Sequence, residues 1–190
     1  MKPMSTPGPI PLMTAEELMR TGGPKERIEL WEGLPVVKEG HGGWAGPICT
    51  ALSSRIYTHV RERRLGYVGD SMTPFVLARA PDWVCIPDVS YVSRARFPVF
   101  PKKGFVPGAP DLAVEVRSPS QAWARTLERG GIWIAFGAAL VWCIDPVGRR
   151  AVTMRGRHCA IEHEAGDTLS GDPVLPDLQI PIAELFSDFE

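Results

Sequence analysis

The chain has 190 residues, 23% of them charged, and a formal net charge of −1 at pH 7. This length favours one domain over residues 13–190, preceded by a flexible Pro-rich lead-in over residues 1–12. The near-neutral charge gives no sign of a polyanion partner, although a basic face would still allow nucleic-acid binding. The four cysteines include no CxxC pair, which supports neither a zinc site nor a disulfide framework and indicates a reducing compartment. Since no leader or membrane-spanning run is found, we expect a soluble cytoplasmic protein.

Three elements are predicted in the N-terminal part: a helix over residues 14–22, a hairpin over residues 27–37 and a helix over residues 44–64. Thr14 and Glu17 have capping-box spacing, which begins the first helix. Gly33 marks the hairpin turn. Apolar residues at four-residue spacing define the second helix, and Gly66 is predicted to stop it.

The rest of the chain is rich in short apolar, β-branched runs. These predict strands over residues 67–68, 74–77, 84–92, 112–116 and 140–144, and a meander over residues 149–163. A helix is predicted over residues 121–136, although Gly130 and Gly131 weaken its middle. The tail over residues 176–186 is expected to pack as an extended piece and a final turn. Strands crowd the middle and helices flank them, which indicates an α/β or α+β fold.

Two of the predicted strands carry acid where an apolar side chain would be expected. Residues 86–92, Ile-Pro-Asp-Val-Ser-Tyr-Val, place Asp88 at one strand. Residues 110–120, Pro-Asp-Leu-Ala-Val-Glu-Val-Arg-Ser-Pro-Ser, place Glu115 on the same face of the other strand as Asp111 and Arg117. Buried carboxylates are costly unless something binds them, and a divalent metal takes carboxylate oxygens readily. The pattern therefore predicts a metal-dependent site.

Short segments with a recognisable order are spread along most of the chain; they are residues 14–17, 28–33, 86–89, 108–120, 136–137, 141–146, 174–176 and 182–186. Their order resembles that of the Uma-two family of endonucleases, a branch of the PD-(D/E)XK, restriction-endonuclease-like superfamily. This resemblance implies a restriction-endonuclease-like mixed β-sheet core flanked by helices, with additional β-hairpins. It also implies a Mg²⁺- or Mn²⁺-dependent hydrolase that cleaves DNA phosphodiester bonds. A homo-oligomer, such as a homodimer, is expected because cutting both strands needs two sites.

By this resemblance, Asp88 and Glu115 bind the metal, which polarises the scissile phosphate and activates water. Glu29, from the early hairpin, is a further acidic member of the site. The family also uses a lysine, and here the chain departs from the pattern: Arg117 stands two residues after Glu115, and Arg129 stands at the alternative place on the following helix. Arginine keeps the positive charge but cannot lose a proton near neutral pH. The candidate catalytic residues are therefore Asp88, Glu115, Glu29, Arg129 and Arg117.

Each candidate also has a structural interpretation. Asp88 is alternatively a turn residue before its strand, and the face that carries Glu29 is alternatively open to water. Arg117 would replace the metal if it formed a buried ion pair with Glu115. Arg129 is alternatively a surface cation on an exposed helix face.

The arginines at the lysine positions, together with the slight acidity of the chain, support a rival class of function. This is a catalytically degenerate nuclease-fold protein that binds nucleic acid or a protein partner without cleavage. His41, in a glycine-rich loop, is a further residue that could approach a substrate in either case.

Overall fold

The computed structural model describes residues 11–40, 42–156 and 159–187, so the predicted lead-in over residues 1–12 lies almost entirely outside it. The α-helices are α1 (Ala15–Thr21), α2 (Ala45–Arg63), α3 (Trp123–Ala135) and α4 (Ile182–Phe186). The strands are β1 (Ile28–Trp31), β2 (Leu34–Val37), β3 (Gly66–Gly69), β4 (Phe75–Ala78), β5 (Trp83–Cys85), β6 (Val89–Ser93), β7 (Val106–Pro107), β8 (Leu112–Val116), β9 (Leu140–Asp145), β10 (Arg150–Met154), β11 (Ala160–His163), β12 (Thr168–Ser170) and β13 (Gln179–Pro181). Within these ranges, no helix combines the length and the apolar character that crossing a bilayer requires.

The predicted N-terminal helix and hairpin are confirmed, and local interactions explain both. The Thr14 hydroxyl accepts the Glu17 N–H at 3.3 Å, and the Glu17 carboxylate accepts the Thr14 N–H at 2.7 Å; this capping box begins α1. Gly22, with φ of 78°, caps its end. β1 and β2 pair antiparallel around Glu32 and Gly33, which have φ of 53° and 77°. Two successive left-handed residues are what a tight hairpin turn requires.

The long helix α2 is confirmed, but its stop signal is Arg64 and not Gly66. Arg64 adopts φ of 54°, and its N–H reaches the carbonyls of Arg61 and Val60. Gly66 instead begins β3, where an added Cβ would overlap the carbonyl oxygen of Val92. The glycine is therefore needed because two strand backbones approach closely, and not because the helix ends there.

Two sheets organise most of the described strands. The smaller has the order β2-β1-β5-β4-β7, the larger has the order β11-β10-β9-β8-β6-β3, and β12 pairs separately with β13. In the larger sheet β8 and β9 run parallel, whereas β6 runs antiparallel to β8. This is a mixed α+β fold, as the sequence predicts.

The predicted continuous strand over residues 84–92 is wrong. Its first part, β5, belongs to the smaller sheet, and its last part, β6, belongs to the larger one. Pro87 lies between them and has no N–H to continue a ladder. Asp88 therefore stands where the chain crosses between sheets, with its N–H donating to the Val114 carbonyl at 2.9 Å. This crossing carries Asp88 to the edge of the candidate site.

Helices α2 and α3 cover opposite faces of the larger sheet. Leu112, Val114 and Val116 pack in one core cluster with α2, whereas Ala113 packs in a second cluster with Trp133 of α3. The alternation predicted for β8 is thus confirmed. Glu115 is two residues beyond Ala113, so it shares that face of β8. Its carboxylate therefore lies between the sheet and α3.

The two glycines in the middle of α3 have opposite surroundings. A Cβ at Gly130 would lie 2.6 Å from Cys143 Sγ and 3.1 Å from Met154 Sδ, whereas one at Gly131 would meet nothing within 4 Å. We expect Gly131→Ala to raise the free energy of unfolding by about 1 kcal/mol. We expect Gly130→Ala to lower it by about 1–3 kcal/mol through overpacking. Urea unfolding followed by circular dichroism measures both, and a stabilising Gly130→Ala would contradict the close packing of α3 on the sheet.

Candidate functional site

Side chains from four strands or their ends and one helix converge beside an open pocket of about 300 Å³. They are Glu29 on β1, Lys38 after β2, Asp88 before β6, Glu115 on β8, and Arg129 and Trp133 on α3. Each of the five charged side chains is at most 8% exposed. The site therefore holds three carboxylates and two cations in a nearly dry environment.

Arg129 bridges two of the carboxylates. Its Nη1 and Nη2 donate to the two oxygens of Glu29, both at 2.8 Å, in a bidentate pair. Its Nε and Nη2 donate to the two oxygens of Glu115 at 2.9 and 3.1 Å, and Nη2 also lies 3.1 Å from the Ile86 carbonyl oxygen. A single planar guanidinium thus holds Glu29, Glu115 and the crossing segment together.

Arg129 and Glu29 keep each other ionised although both side chains are buried. Burial opposes ionisation of the Glu29 carboxyl, but Arg129, Lys38 and the Ile86 N–H hold its pKa below the ordinary value. Burial likewise opposes the charge of Arg129, but Glu115 and Glu29 raise the pKa of its guanidinium. Both groups therefore remain charged near neutral pH.

Glu115 is fixed from two sides. The indole N–H of Trp133 donates to its Oε1 at 2.7 Å, next to the Arg129 bonds. Its Oε2 accepts the Arg129 Nε–H at 2.9 Å and has Lys38 Nζ at 3.5 Å, and the residue lines the pocket. Trp133 is buried in the core. The sequence gives no sign of its bond to the carboxylate, because this contact depends on how α3 packs on β8.

Lys38 is the functional candidate that the sequence interpretation missed. Its Nζ lies 2.7 Å from Asp88 Oδ1 and donates to the Ile86 carbonyl at 2.6 Å. Asp88 is oriented by its other oxygen, Oδ2, which accepts the Val116 N–H at 2.7 Å. A signal was present in the hairpin: β1 and β2 place Val36 opposite Glu29. Lys38, two residues further, therefore shares the face of Glu29.

Four of the five predicted residues come together: Glu29, Asp88, Glu115 and Arg129. Arg129 is buried and ion-paired, so its alternative as a surface cation is wrong. Glu29 is buried as well, so its alternative on a wet face is wrong. The catalytic roles of these residues remain predictions.

Arg117 does not join this group. Its Nη1 pairs with Asp145 at 2.9 Å, and its Nε donates to the Gln121 carbonyl at 2.8 Å. The alternative ion pair between Arg117 and Glu115 is therefore wrong. Burial opposes ionisation of Asp145, but the Gly148 N–H, Arg117 and Arg150 hold its pKa below the ordinary value. Arg117 thus belongs to a separate ion pair with Asp145, the last residue of β9.

His41, the further residue that the sequence suggested could approach a substrate, lies outside the described residues.

Among the residues that the structure describes, no group of three or more His, Cys, Asp or Glu side chains is arranged to hold a metal ion. Cys85 and Cys143 are buried core residues. Burial raises the pKa of both thiols, so they stay protonated. Any metal at this site would depend on two carboxylates, completed by water and substrate.

The fold is shared with a protein of known structure. A crystal structure from Anabaena variabilis, described as a putative nuclease belonging to DUF820, matches it with a TM-score of 0.78. The two chains are 21% identical, and the match covers 92% of this chain and 98% of the other. At this identity the likeness concerns the fold.

The chain belongs to the Uma2 family, described as "Putative restriction endonuclease", whose family model matches residues 15–183. The resemblance inferred from the ordered motifs is thereby confirmed. A comparison with curated proteins finds none that matches this chain.

Proposed function

We propose that this protein is a divalent-metal-dependent endonuclease that hydrolyses DNA phosphodiester bonds. The observation that carries the proposal is the convergence of Asp88 Oδ1 and Glu115 Oε2 on one cation, Lys38 Nζ, at 2.7 and 3.5 Å beside an open pocket. Mg²⁺ is commonly bound by one or two carboxylates, with water and substrate phosphate completing its shell. Membership of the Uma2 family, described as "Putative restriction endonuclease", supports the same function.

The residues present fit one Mg²⁺ or Mn²⁺. Asp88 and Glu115 would hold it, since each has one oxygen directed at the same cation position while neighbouring donors fix the carboxylate. When bound, the metal would supply Lewis acidity to the scissile phosphate and lower the pKa of the attacking water. Glu29 would act indirectly, because both of its oxygens accept hydrogen bonds from Arg129.

The pocket rim offers groups that bind phosphate oxygens. Arg125, Ser118, Ser120 and Gln121 line it. Arg125 has a side chain that is 38% exposed, so its guanidinium can reach an incoming phosphate. Such groups position a nucleic-acid backbone without reading its sequence. These groups favour a nucleic-acid backbone, the family description favours DNA as the substrate, and a homo-oligomer stays the expectation for cutting both strands.

Cleavage of supercoiled plasmid tests this function. We expect the wild type to nick plasmid with Mg²⁺ or Mn²⁺ and to stop when EDTA is added. Asp88→Asn is expected to lower the rate by roughly 10²–10³-fold, as loss of one preorganised charged group does elsewhere. Glu62→Gln is the control, because Glu62 lies on α2 and pairs with Arg63 at the surface, away from the candidate pocket. Folded wild type that leaves plasmid intact in both metals would refute the proposal.

One observation favours a second candidate, a nuclease-fold protein that binds nucleic acid or a protein partner without cleavage. Arg129, at one of the family's lysine places, is ion-paired with two carboxylates and cannot turn to a substrate without giving up its bonds to both. This candidate predicts DNA binding that weakens with salt and survives Glu115→Ala. Fluorescence anisotropy with a labelled duplex over a salt series measures it.

A further inference from the structure

Lys38 occupies a cation position between two carboxylates. Its ammonium has three acceptors within 3.5 Å: Asp88 Oδ1, Glu115 Oε2 and the Ile86 carbonyl oxygen. The side chain is only 8% exposed. Because an ammonium has three hydrogens, these acceptors account for its full donor capacity.

We propose that Lys38 is a built-in counter-cation, which must leave the Asp88–Glu115 pair when a divalent metal binds and then presents its charge to the phosphate. The second half rests on the nuclease function proposed above. The first half concerns metal binding alone, and it stands whether or not DNA is cut.

The charges at the site explain why a counter-cation is needed. The three carboxylates of Glu29, Asp88 and Glu115 exceed the single charge of Arg129 by two. Lys38 balances one of these charges, whereas a divalent metal would balance both. Unbalanced buried charge is strongly unfavourable. Lys38 therefore stabilises the metal-free site, and the metal competes with it for the same two oxygens.

Of the two cations, Lys38 is the one able to move. Arg129 makes five contacts with Glu29, Glu115 and Ile86. Lys38 reaches Glu115 only at 3.5 Å, and it follows the end of β2 on a flexible four-carbon stem. Its bond to the Ile86 carbonyl does not involve a predicted metal ligand. That bond can keep the ammonium beside the pocket after a metal has taken the carboxylates.

Calorimetric titration with Mn²⁺ tests the competition. We expect Lys38→Met to bind Mn²⁺ at least about tenfold more tightly than the wild type, because a positive charge a few ångströms from the ion is removed. Lys38→Arg, which keeps the charge, should stay close to the wild type. Lys25→Met is the control, since Lys25 is exposed on another segment. Equal affinity of wild type and Lys38→Met, or no detectable binding by either, would overturn the inference.

Acetylation of the unmodified protein gives a second measurement that needs no folded variant. Lys38 should react slowly with an amine-acetylating reagent in EDTA and several-fold faster with Mn²⁺, while Lys25 reacts equally in both. Mass spectrometry of peptides reports each lysine separately. Slow reaction of Lys38 in both conditions would contradict its displacement.

Plasmid cleavage separates this inference from the proposed function. Tighter Mn²⁺ binding by Lys38→Met with a loss of nicking of roughly 10²-fold or more would support both halves, since a charge near the developing phosphorane is then missing. Nicking at the wild-type rate by Lys38→Met would overturn the second half. If the wild type does not cut at all, the nuclease function fails, and the Mn²⁺ and acetylation results still decide the first half.

Discussion

Arg129→Met is expected to lower the free energy of unfolding by about 3–5 kcal/mol, the cost of removing one partner from a buried ion pair. The loss is large because Glu29 and Glu115 would both keep a buried carboxylate without its main partner. A small protein has only about 5–15 kcal/mol in total, so this variant should be close to unfolding. Urea unfolding followed by circular dichroism measures the change.

Arg129→Lys distinguishes charge from geometry. A lysine keeps the charge but cannot grip Glu29 bidentately while also reaching Glu115, so we expect an intermediate loss of stability. Arg125→Met serves as control, because Arg125 is one turn earlier on the same helix and pairs at the surface, where a pair contributes about 1 kcal/mol or less. A loss below about 1 kcal/mol for Arg129→Met would mean that the bridge is not needed for folding.

The pH dependence of this loss identifies its cause. In the wild type, Arg129 helps to keep the pKa of Glu29 below its ordinary value of 4.5. The stability that results is present above pH 4.5 and is lost as the pH falls through the folded-state pKa. Without Arg129, burial dominates and raises that pKa, so the charged form is the unfavourable one. The difference between wild type and variant should therefore shrink as the pH falls through that raised pKa towards 4.5. A constant difference would indicate lost packing instead.

Glu115→Gln is expected to abolish cleavage, with a rate lower by roughly 10³-fold, the upper end for loss of one preorganised charged group. Glu115 is one of the two proposed metal ligands, and its amide replacement would turn an N–H₂ group towards the donors of Arg129 or Trp133. Mn²⁺ binding should weaken as well. Plasmid nicking gives the rate and calorimetry gives the metal affinity.

Asp111→Asn is the matched control for this prediction. Asp111 lies on the same face as Glu115, but its carboxylate accepts the Ser93 N–H at 2.7 Å, away from the candidate pocket. We expect this change to cost about 1–3 kcal/mol of stability, as loss of a charged hydrogen bond does, and to leave nicking by the folded protein unchanged. Equal loss of nicking in both variants would trace the effect to the strand and not to the Glu115 carboxylate.

Their contacts give Arg129 and Lys38 separate positions in the site. Arg129, at the position where the family resemblance places a lysine, is tied to Glu29 and Glu115. Lys38 brings an ammonium to Asp88 and Glu115 from a hairpin far away in the sequence. The absence of lysine at positions 117 and 129 therefore does not leave the site without an ammonium.

The sequence by itself determined the elements whose signals are local. The capping box of α1, the Gly33 turn, the extent of α2 and the alternation along β8 depend on neighbouring residues, whose backbone preferences and side-chain directions are fixed at short range. The same alternation placed Glu115 on one face of β8 together with Asp111 and Arg117. The ordered motifs also determined the family.

Only the tertiary structure decided how the charges are paired. Glu29 and Arg129 are 100 positions apart, and Lys38 and Glu115 are 77 apart, yet each pair is in contact. Such contacts follow from how one sheet packs beside the other and from the crossing at Pro87, which divides a run that the sequence presents as one strand. Which buried charges pair with each other depends on their distance and their desolvation in the folded state. Neither quantity is encoded in the local pattern around any one of these residues.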